Sequence, residues 1–390
     1  MKFTTLSLVA AVAVSSAFAG GDIAPVEPVA KAPLQPKVSA TTINGKLTGY
    51  YYTDDTQAAY DMFEKEASQL GLAATLDVSH KLTDWLTLNF SAMGYVNSLK
   101  KPNAMYMEGN KKGAFFNVAN ATFNYADTTF IAGRQLVDTP MVGGFDWLLA
   151  PGAFEAYTLV NSSIKNVTLV GSYLRTWRPN NTGDTWVNLT DIDDGNNWTV
   201  AVAYKQDALN ASLWYYNVDA GAAAGNPDKY AQIYADAGYT FSGITLKGQY
   251  IHTDYDTATD SDAYGAEISG KIADIALSAA VMNVSDNMAG FVGRDTLYTS
   301  SWNSFAGRQA VANDDTLSWK VAASTTFAAI DTTLSYAQYG DEGSEFDLIL
   351  AYNITKNIDA NLVYTNTDYD VNVDNSDAAN ALEIYANYKF

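Results

Sequence analysis

The sequence predicts an all-β fold, a transmembrane antiparallel up-and-down β-barrel of about 18 strands, with roughly 16 as the alternative count. Three observations predict it. Apolar and polar residues alternate with a period of two, as in Leu86–Ala92, which places them on opposite faces of a strand. Along the chain, short connections between the alternating runs alternate with long ones. No segment approaches the ~20 consecutive apolar residues of a transmembrane helix.

The first 41 residues are predicted to lie outside the barrel. Lys2, the short apolar run Leu6–Val14 and the small residues around Ala19 form a signal peptide, residues 1–19, which is cleaved after Ala19. Residues 20–41 hold four of the nine prolines and are predicted to be an extended periplasmic tether.

The barrel is predicted to occupy residues 42–390. Its alternating runs are centred near residues 48, 74, 91, 120, 132, 158, 171, 202, 213, 235, 248, 268, 279, 322, 336, 349, 362 and 385. The long connections include 53–68, 97–113, 136–153, 178–197, 218–229, 284–317 and 367–378. All five prolines outside the tether fall in these connections, as expected for a residue that cannot donate to a central ladder.

A soluble β-sandwich also alternates its two faces and is the alternative architecture. The barrel is favoured because the polar face carries Asn, Thr, Lys, Asp and Glu, which suit a water-filled lumen better than a dry core. Aromatic residues also recur at the strand ends, where interfacial girdles lie in membrane barrels. A barrel of 16–18 strands is too wide for side chains to fill and leaves an aqueous channel.

The last run places Leu382, Ile384, Ala386, Tyr388 and Phe390 on one face and stops at the aromatic carboxy-terminus. This arrangement resembles the C-terminal signature of outer-membrane porins, and the resemblance implies recognition of Tyr388 and Phe390 by the barrel-assembly machinery. An even strand count then places both termini and the tight turns in the periplasm and the long loops outside the cell. The predicted location is the outer membrane of a Gram-negative cell.

Charge and composition exclude several function classes. The chain holds 43 acidic and 23 basic residues, a net charge of -20, which becomes -21 once the signal peptide and its Lys2 are removed. A nucleic-acid partner needs the opposite excess. The absence of cysteine removes disulfide scaffolds, thiolate metal sites and cysteine nucleophiles.

A local motif gives a family resemblance. The segment Gly133-Arg134-Gln135-Leu136-Val137-Asp138-Thr139-Pro140, followed by Leu148–Glu155, resembles the third-loop region of the OprD-type porins. The signal peptide, the acidic composition and the closing Tyr388-Lys389-Phe390 are similar to those of the major outer membrane porins of epsilon-proteobacteria, a resemblance that implies a homo-trimer. In such porins this loop folds into the lumen, so the resemblance implies a constriction near residues 136–153 with Arg134, Asp138, Asp146, Trp147 and Glu155.

The constriction predicted for this chain departs from the OprD pattern, which places arginines along the passage to guide carboxylates. Asp138 and Asp146 follow Arg134 here, with no basic residue in the loop. We therefore expect a passive diffusion channel for ions and small hydrophilic solutes that weakly prefers cations. Strand parity adds a set of expected pore-lining residues: Lys46, Asp77, Lys205, Asp236, Lys247, Glu267, Lys271, Lys320, Glu345 and Asp347.

The sequence also bears on ligands and lipid partners. No cofactor is expected, although Asp191, Asp193 and Asp194 have the oxygen-ligand spacing of a calcium loop without the later Glu of an EF-hand. Lipid and lipopolysaccharide are expected neighbours, through bridging cations or through Arg175 and Arg178.

The main alternative function is a surface adhesin or receptor that uses the long connection 284–317, with its aromatic residues Phe291, Tyr298, Trp302 and Phe305. An enzyme is not expected. His252 with the adjacent Thr253 and Asp254 resembles a membrane-embedded hydrolase only faintly, and no nucleophile motif accompanies it.

Overall fold

The computed structural model describes residues 40–55, 60–99, 112–144, 149–180, 182–189, 196–219, 225–302, 316–369 and 379–390. The predicted signal peptide, residues 1–19, and almost all of the predicted tether, residues 20–41, lie outside these ranges. Within them the chain forms nineteen strands, which are β1 Thr41–Asp54, β2 Ser68–Lys81, β3 Leu86–Leu99, β4 Lys112–Tyr125, β5 Thr128–Gln135, β6 Ala153–Asn161, β7 Val167–Arg178, β8 Val187–Asn188, β9 Asn197–Gln206, β10 Leu209–Val218, β11 Tyr230–Phe241, β12 Ile244–Tyr255, β13 Ser261–Ile272, β14 Ile275–Ser285, β15 Thr316–Phe327, β16 Ile330–Tyr339, β17 Gly343–Asn353, β18 Ile358–Tyr369 and β19 Ala379–Lys389.

Eighteen of the strands close one antiparallel barrel. Each pairs with its neighbours along the chain, and β1 closes on β19, where Tyr50 lies opposite Tyr385. The two-residue strand β8 adds to the end of β7 and takes no other part in the wall. Every predicted run centre falls inside one of these eighteen strands, so the predicted barrel is confirmed. Among the described residues, no helix is long and apolar enough to cross a membrane.

The two faces of the wall differ as the period of two predicts. On β12, Ile244, Leu246 and Tyr250 point outward and are exposed, whereas Gln249 and Thr253 point inward and are buried. The outward face is a belt of Leu, Ile, Val and aromatic side chains. The belt suits a hydrocarbon environment, because exposed apolar area of this extent is unfavourable in water.

One end of the barrel carries tight turns, and we call it the turn end. Trp85, Tyr125, Phe241, Phe327 and Phe390 ring its outer surface and are all more than half exposed. Such a ring is the position of an interfacial aromatic girdle. The opposite end, which we call the loop end, carries all the long connections between barrel strands. Two of its connections, 256–260 and 340–342, are short.

Several tight turns need left-handed backbone. Ser242 and Gly243 have φ of 50° and 81°, and Ala328 and Ala329 have 49° and 67°. Positive φ at both central residues is the geometry of a type I′ turn, whose twist matches that of the flanking strands. Tight turns therefore fix the register between hairpin partners at this end.

Candidate pore constriction

Residues 136–144 and 149–152, the described parts of the connection between β5 and β6, lie inside the barrel. We call this connection the first inner loop. On one side of the lumen its Met141 N–H donates to the Tyr216 hydroxyl at 3.4 Å, and that hydroxyl donates to Thr139 Oγ1 at 3.2 Å. Tyr216 is fully buried on the inward face of β10.

The same loop reaches the wall formed by the first four strands. Leu149 and Ala150 pack with Tyr50, Tyr95 and other inward aromatic residues in one buried cluster. Gly71 makes this approach possible, since a Cβ at that position would lie 2.5 Å from Leu149 Cδ1. The first inner loop thus contacts two well-separated parts of the wall.

Arg178, at the end of β7, anchors the far end of the first inner loop. Its side chain is fully buried, and its Nε and Nη2 donate to Asn117 Oδ1 at 3.0 and 2.7 Å. Nη2 also donates to the Pro151 carbonyl, and Nη1 donates to the Thr182 carbonyl at 2.9 Å. A buried guanidinium with this many acceptors holds the loop in one position, because losing any of them would leave a charge poorly solvated.

A second inner loop, the described residues 286–302 between β14 and β15, also lies in the lumen. Inward side chains of the wall bind its backbone: Gln232 Nε2 donates to the Gly290 carbonyl at 2.8 Å, Gln249 Nε2 to the Thr296 carbonyl at 2.8 Å, and Lys320 Nζ to the Ser300 carbonyl at 2.6 Å. Tyr298 and Trp302 are therefore inside the barrel, and two of the aromatic residues of the adhesin alternative are removed from the outer surface.

The two inner loops meet. Val142 and Val292 form a parallel bridge, in which the Val292 N–H donates to the Met141 carbonyl at 2.9 Å and the Gly143 N–H donates to the Val292 carbonyl at 3.0 Å. Beside this bridge an ion pair joins Arg294 to Asp138. Two segments far apart in sequence therefore form one structure across the lumen.

A group of acidic side chains faces the end of the second inner loop. The Trp302 indole N–H donates to Glu383 Oε1 at 2.9 Å, and its backbone N–H points to Asp347 Oδ2 at 3.3 Å. Ser335 donates to the same Asp347 oxygen at 2.8 Å, and Glu345 is fully buried nearby on the same strand. We call Glu345, Asp347 and Glu383 the acidic wall.

All the residues expected from parity to line the pore lie on the inward face of their strands. Lys247 and Glu267 form an ion pair at 3.3 Å, and Asp236 accepts a hydrogen bond from Ser212. Lys320, Glu345 and Asp347 lie beside the second inner loop, as described above. The remaining members, Lys46, Asp77, Lys205 and Lys271, lie toward the turn end of the barrel.

Arg134 and Glu155 do not face the lumen, so their assignment to the constriction is wrong. They pair directly across β5 and β6, and Arg134 pairs with Ala119, which in turn pairs with the exposed, outward Phe90. The residue on the inward face is Gln135, which is buried. A short strand with weak alternation hides this parity in the sequence, and only pairing with its neighbours reveals it.

Asp138 lies in the first inner loop as expected, but its carboxylate is paired with Arg294 rather than alone. Asp146 and Trp147 lie outside the described residues. So do Asp191, Asp193 and Asp194, and their calcium site stays a prediction. In the described part of the chain, no group of three or more His, Asp or Glu side chains is arranged to hold a metal ion.

The residues that faintly resemble a hydrolase, His252 and Thr253, do not form a catalytic site in the structure. His252 Nδ1 lies 3.0 Å from Asp262 Oδ1 on the outward face of the barrel. The neighbouring Thr253 is fully buried on the inward face, where it receives hydrogen bonds from Gln232 and Gly290. The wall of the barrel therefore separates the histidine from that hydroxyl.

Several residues of the site were not singled out from sequence. Glu383 alternates with the apolar residues of the last strand, so its parity points inward, and the structure buries it there. Arg178 is fully buried and donates to Asn117, so the expected contact of this residue with lipid phosphates is wrong. The Arg294–Asp138 pair joins residues 156 positions apart, and no local pattern signals such a contact.

Comparison with solved structures places the fold among the OprD/Occ-type outer membrane porins. OpdK of Pseudomonas aeruginosa superposes with a TM-score of 0.72 over 90% of this chain and 98% of that one, at 14% identity. OpdO of the same organism gives 0.72 over 90% and 97%, at 16% identity. OccAB1 of Acinetobacter baumannii gives 0.70 over 90% and 96%, at 13% identity.

At these identities the likeness is one of fold, the closed antiparallel 18-strand barrel of those porins. No family model matches the sequence, and no curated protein matches it either.

Proposed function

We propose that this protein is an outer-membrane porin, a passive diffusion channel for ions and small hydrophilic solutes. The observation that carries the proposal is a closed barrel of eighteen strands, into which two inner loops fold and meet at Val142 and Val292. A barrel of eighteen strands is wide enough for an aqueous passage. The apolar outer belt and the aromatic ring at the turn end support insertion in a membrane.

We further propose a weak preference for cations. The acidic wall places three carboxyl groups beside the second inner loop, and Lys320 is the basic side chain among them. At the bridge between the loops, the negative charge of Asp138 and the positive charge of Arg294 cancel. An excess of negative charge in a narrow, partly desolvated passage raises the local cation concentration.

The test is ion selectivity of purified, folded protein in a planar bilayer. We expect stepwise ohmic conductance and a reversal potential of the cation-selective sign in a KCl gradient. The double variant Glu345→Gln and Asp347→Asn should shift that potential toward anions. Lys81→Gln, at the turn-end tip of β2, where the exposed lysine pairs with Asp84, should leave it unchanged. Absence of conductance steps would refute the channel, and an anion-selective wild type would refute the charge assignment alone.

A carboxylate solute is the second candidate, because OpdK has been crystallised with vanillate. The acidic wall argues against it in this chain. Currents carried by potassium vanillate and by KCl discriminate between the two. A vanillate permeability above that of chloride would favour the carboxylate channel.

Export, assembly and oligomeric state are part of the same proposal. The carboxy-terminal Phe390 completes the ladder of β1, since its N–H donates to the Gly45 carbonyl at 3.0 Å and its carbonyl accepts from the Gly45 N–H at 2.9 Å. A residue that joins the two strands at the closing seam suits a signal for barrel assembly. A homo-trimer and a signal peptide cleaved after Ala19 are testable by native mass spectrometry of the mature protein.

A further inference from the structure

An arginine cluster lies on the outward face of the barrel, where most side chains are apolar. It consists of Arg134 on β5, Glu155 on β6, Arg175 on β7 and Trp186 in the connection after β7. Arg175 Nη1 and Glu155 Oε1 are 3.0 Å apart. The Arg134 guanidinium lies 4.3 Å from the centroid of the Trp186 ring. We call these four residues the outer arginine cluster.

The cluster lies just beyond a row of aromatic residues toward the loop end. Tyr157, Tyr173 and Trp198 are paired across β6, β7 and β9 on the outward face. Glu155 and Arg175 are the next outward positions on their strands. Aromatic rows of this kind mark the boundary between acyl chains and headgroups, so the cluster lies at headgroup level on the side of the long loops.

Arg134 has weaker local compensation than Arg175. Glu155 lies directly opposite Arg134 but turns its carboxylate to Arg175, and Asp184 accepts from the Trp186 indole at 3.1 Å. Within the described ranges, Arg134 forms no ion pair; its Nη1 donates to the Phe116 carbonyl at 3.2 Å. A guanidinium has five N–H donors, and stacking on a ring leaves its edge open to an anion.

An open pocket of about 350 Å³ adjoins this guanidinium. Its walls are Phe90, Phe116, Ala119, Gly133, Arg134 and Glu155. Both phenylalanines are well exposed on the outward face. Gly133 has φ of 117°, a conformation that L side chains rarely adopt, and it sets the direction of the chain into Arg134. The pocket thus places an apolar surface beside a cation.

We propose that the outer arginine cluster binds the phosphorylated headgroup of lipopolysaccharide, with an acyl chain against Phe90 and Phe116. Arginine pairs with phosphate through parallel N–H donors, and such bonds strengthen away from bulk water. The long-loop end faces the outer leaflet, whose lipid carries phosphates on an acylated headgroup. The inference rests on the proposed outer-membrane location of the barrel.

The experiment measures binding of three probes to delipidated wild-type protein: purified lipopolysaccharide, its dephosphorylated form, and phosphatidylglycerol. Intact lipopolysaccharide should bind about tenfold more tightly than the dephosphorylated form, the difference expected from one charge-assisted contact. The double variant Arg134→Gln and Arg175→Gln should lose that difference. The control variant Lys81→Gln removes one positive charge at the turn end. It should still bind intact lipopolysaccharide about tenfold more tightly than the dephosphorylated form.

Three results would overturn the proposal. They are equal binding of phosphorylated and dephosphorylated lipopolysaccharide to wild type, unchanged binding by the double variant, and phosphatidylglycerol binding as tight as that of lipopolysaccharide. Loss of subunit association in the double variant with unchanged lipid binding would assign this face to contact between copies. Because the first comparison uses wild type, it is decisive even where the variant fails to fold. Single-channel conductance of the same samples tests the channel separately.

Discussion

The ion pair between Arg294 and Asp138 offers a quantitative test of the charge at the meeting point of the two inner loops. Replacing Arg294 with Gln removes one positive charge and leaves the half-exposed Asp138 carboxylate unpaired. An ion that passes at ~6 Å from a unit charge in water has an electrostatic interaction energy of about 0.7 kcal/mol with it. Screening at ~0.1 M salt reduces this energy to ~0.4 kcal/mol. The effect has opposite signs for cation and anion, so we expect the cation-to-anion permeability ratio to rise about fourfold.

The assay is the reversal potential of single channels in a KCl gradient. Asp138→Asn should shift it in the opposite direction, and Arg294→Lys, which keeps the charge, should change it little. Increasing the salt concentration should reduce both shifts, because the interaction is screened. A variant Arg294→Gln with the wild-type reversal potential, or one that is more anion-selective, would refute the assignment of this pair to the passage.

Three further predictions concern the packing and assembly of the barrel. Gly71→Val places a side chain where Leu149 lies, so we expect thermal unfolding at a lower temperature, while Gly49→Val, in a more open position, should cost less. Trp302→Phe keeps the ring but removes the donor to Glu383, at a cost of about 1–3 kcal/mol in urea unfolding; an unchanged midpoint would contradict the contact. Phe390→Ser should reduce the amount of heat-modifiable barrel recovered from outer membranes, and normal recovery would show that the terminal ring is dispensable.

The fold was largely accessible from the sequence, for a reason particular to membrane barrels. A strand between lipid and water exposes every second side chain to an apolar medium. Nearly every strand segment therefore shows alternation of apolar and polar residues, as β12 does. Tight turns at one end then separate the strands. The barrel runs and most residues predicted to face inward could therefore be identified without knowledge of the pairing.

Arg134 shows where that reasoning fails. β5 has only eight residues, and Gly133 adopts a left-handed conformation immediately before Arg134. Alternation along so short a strand does not show which side chains face the lumen and which face outward. Pairing with β4 and β6 decides the face, and it places Arg134 with Glu155 outside the lumen.

The sequence by itself determined an antiparallel barrel of about eighteen strands, with sixteen left open, its apolar outer face and the acidic balance of the chain, because these depend on composition and on spacing within single strands. The strand pairing then fixed the count at eighteen. Only the tertiary structure decided how the lumen is narrowed. The bridge between Val142 and Val292 and the pairing of Asp138 with Arg294 join segments about 150 residues apart. Irregular loops have no sequence period that would reveal their position. Their position is set by buried side-chain donors of the wall, which satisfy the backbone carbonyls of the loops. These donors come together only when the barrel closes.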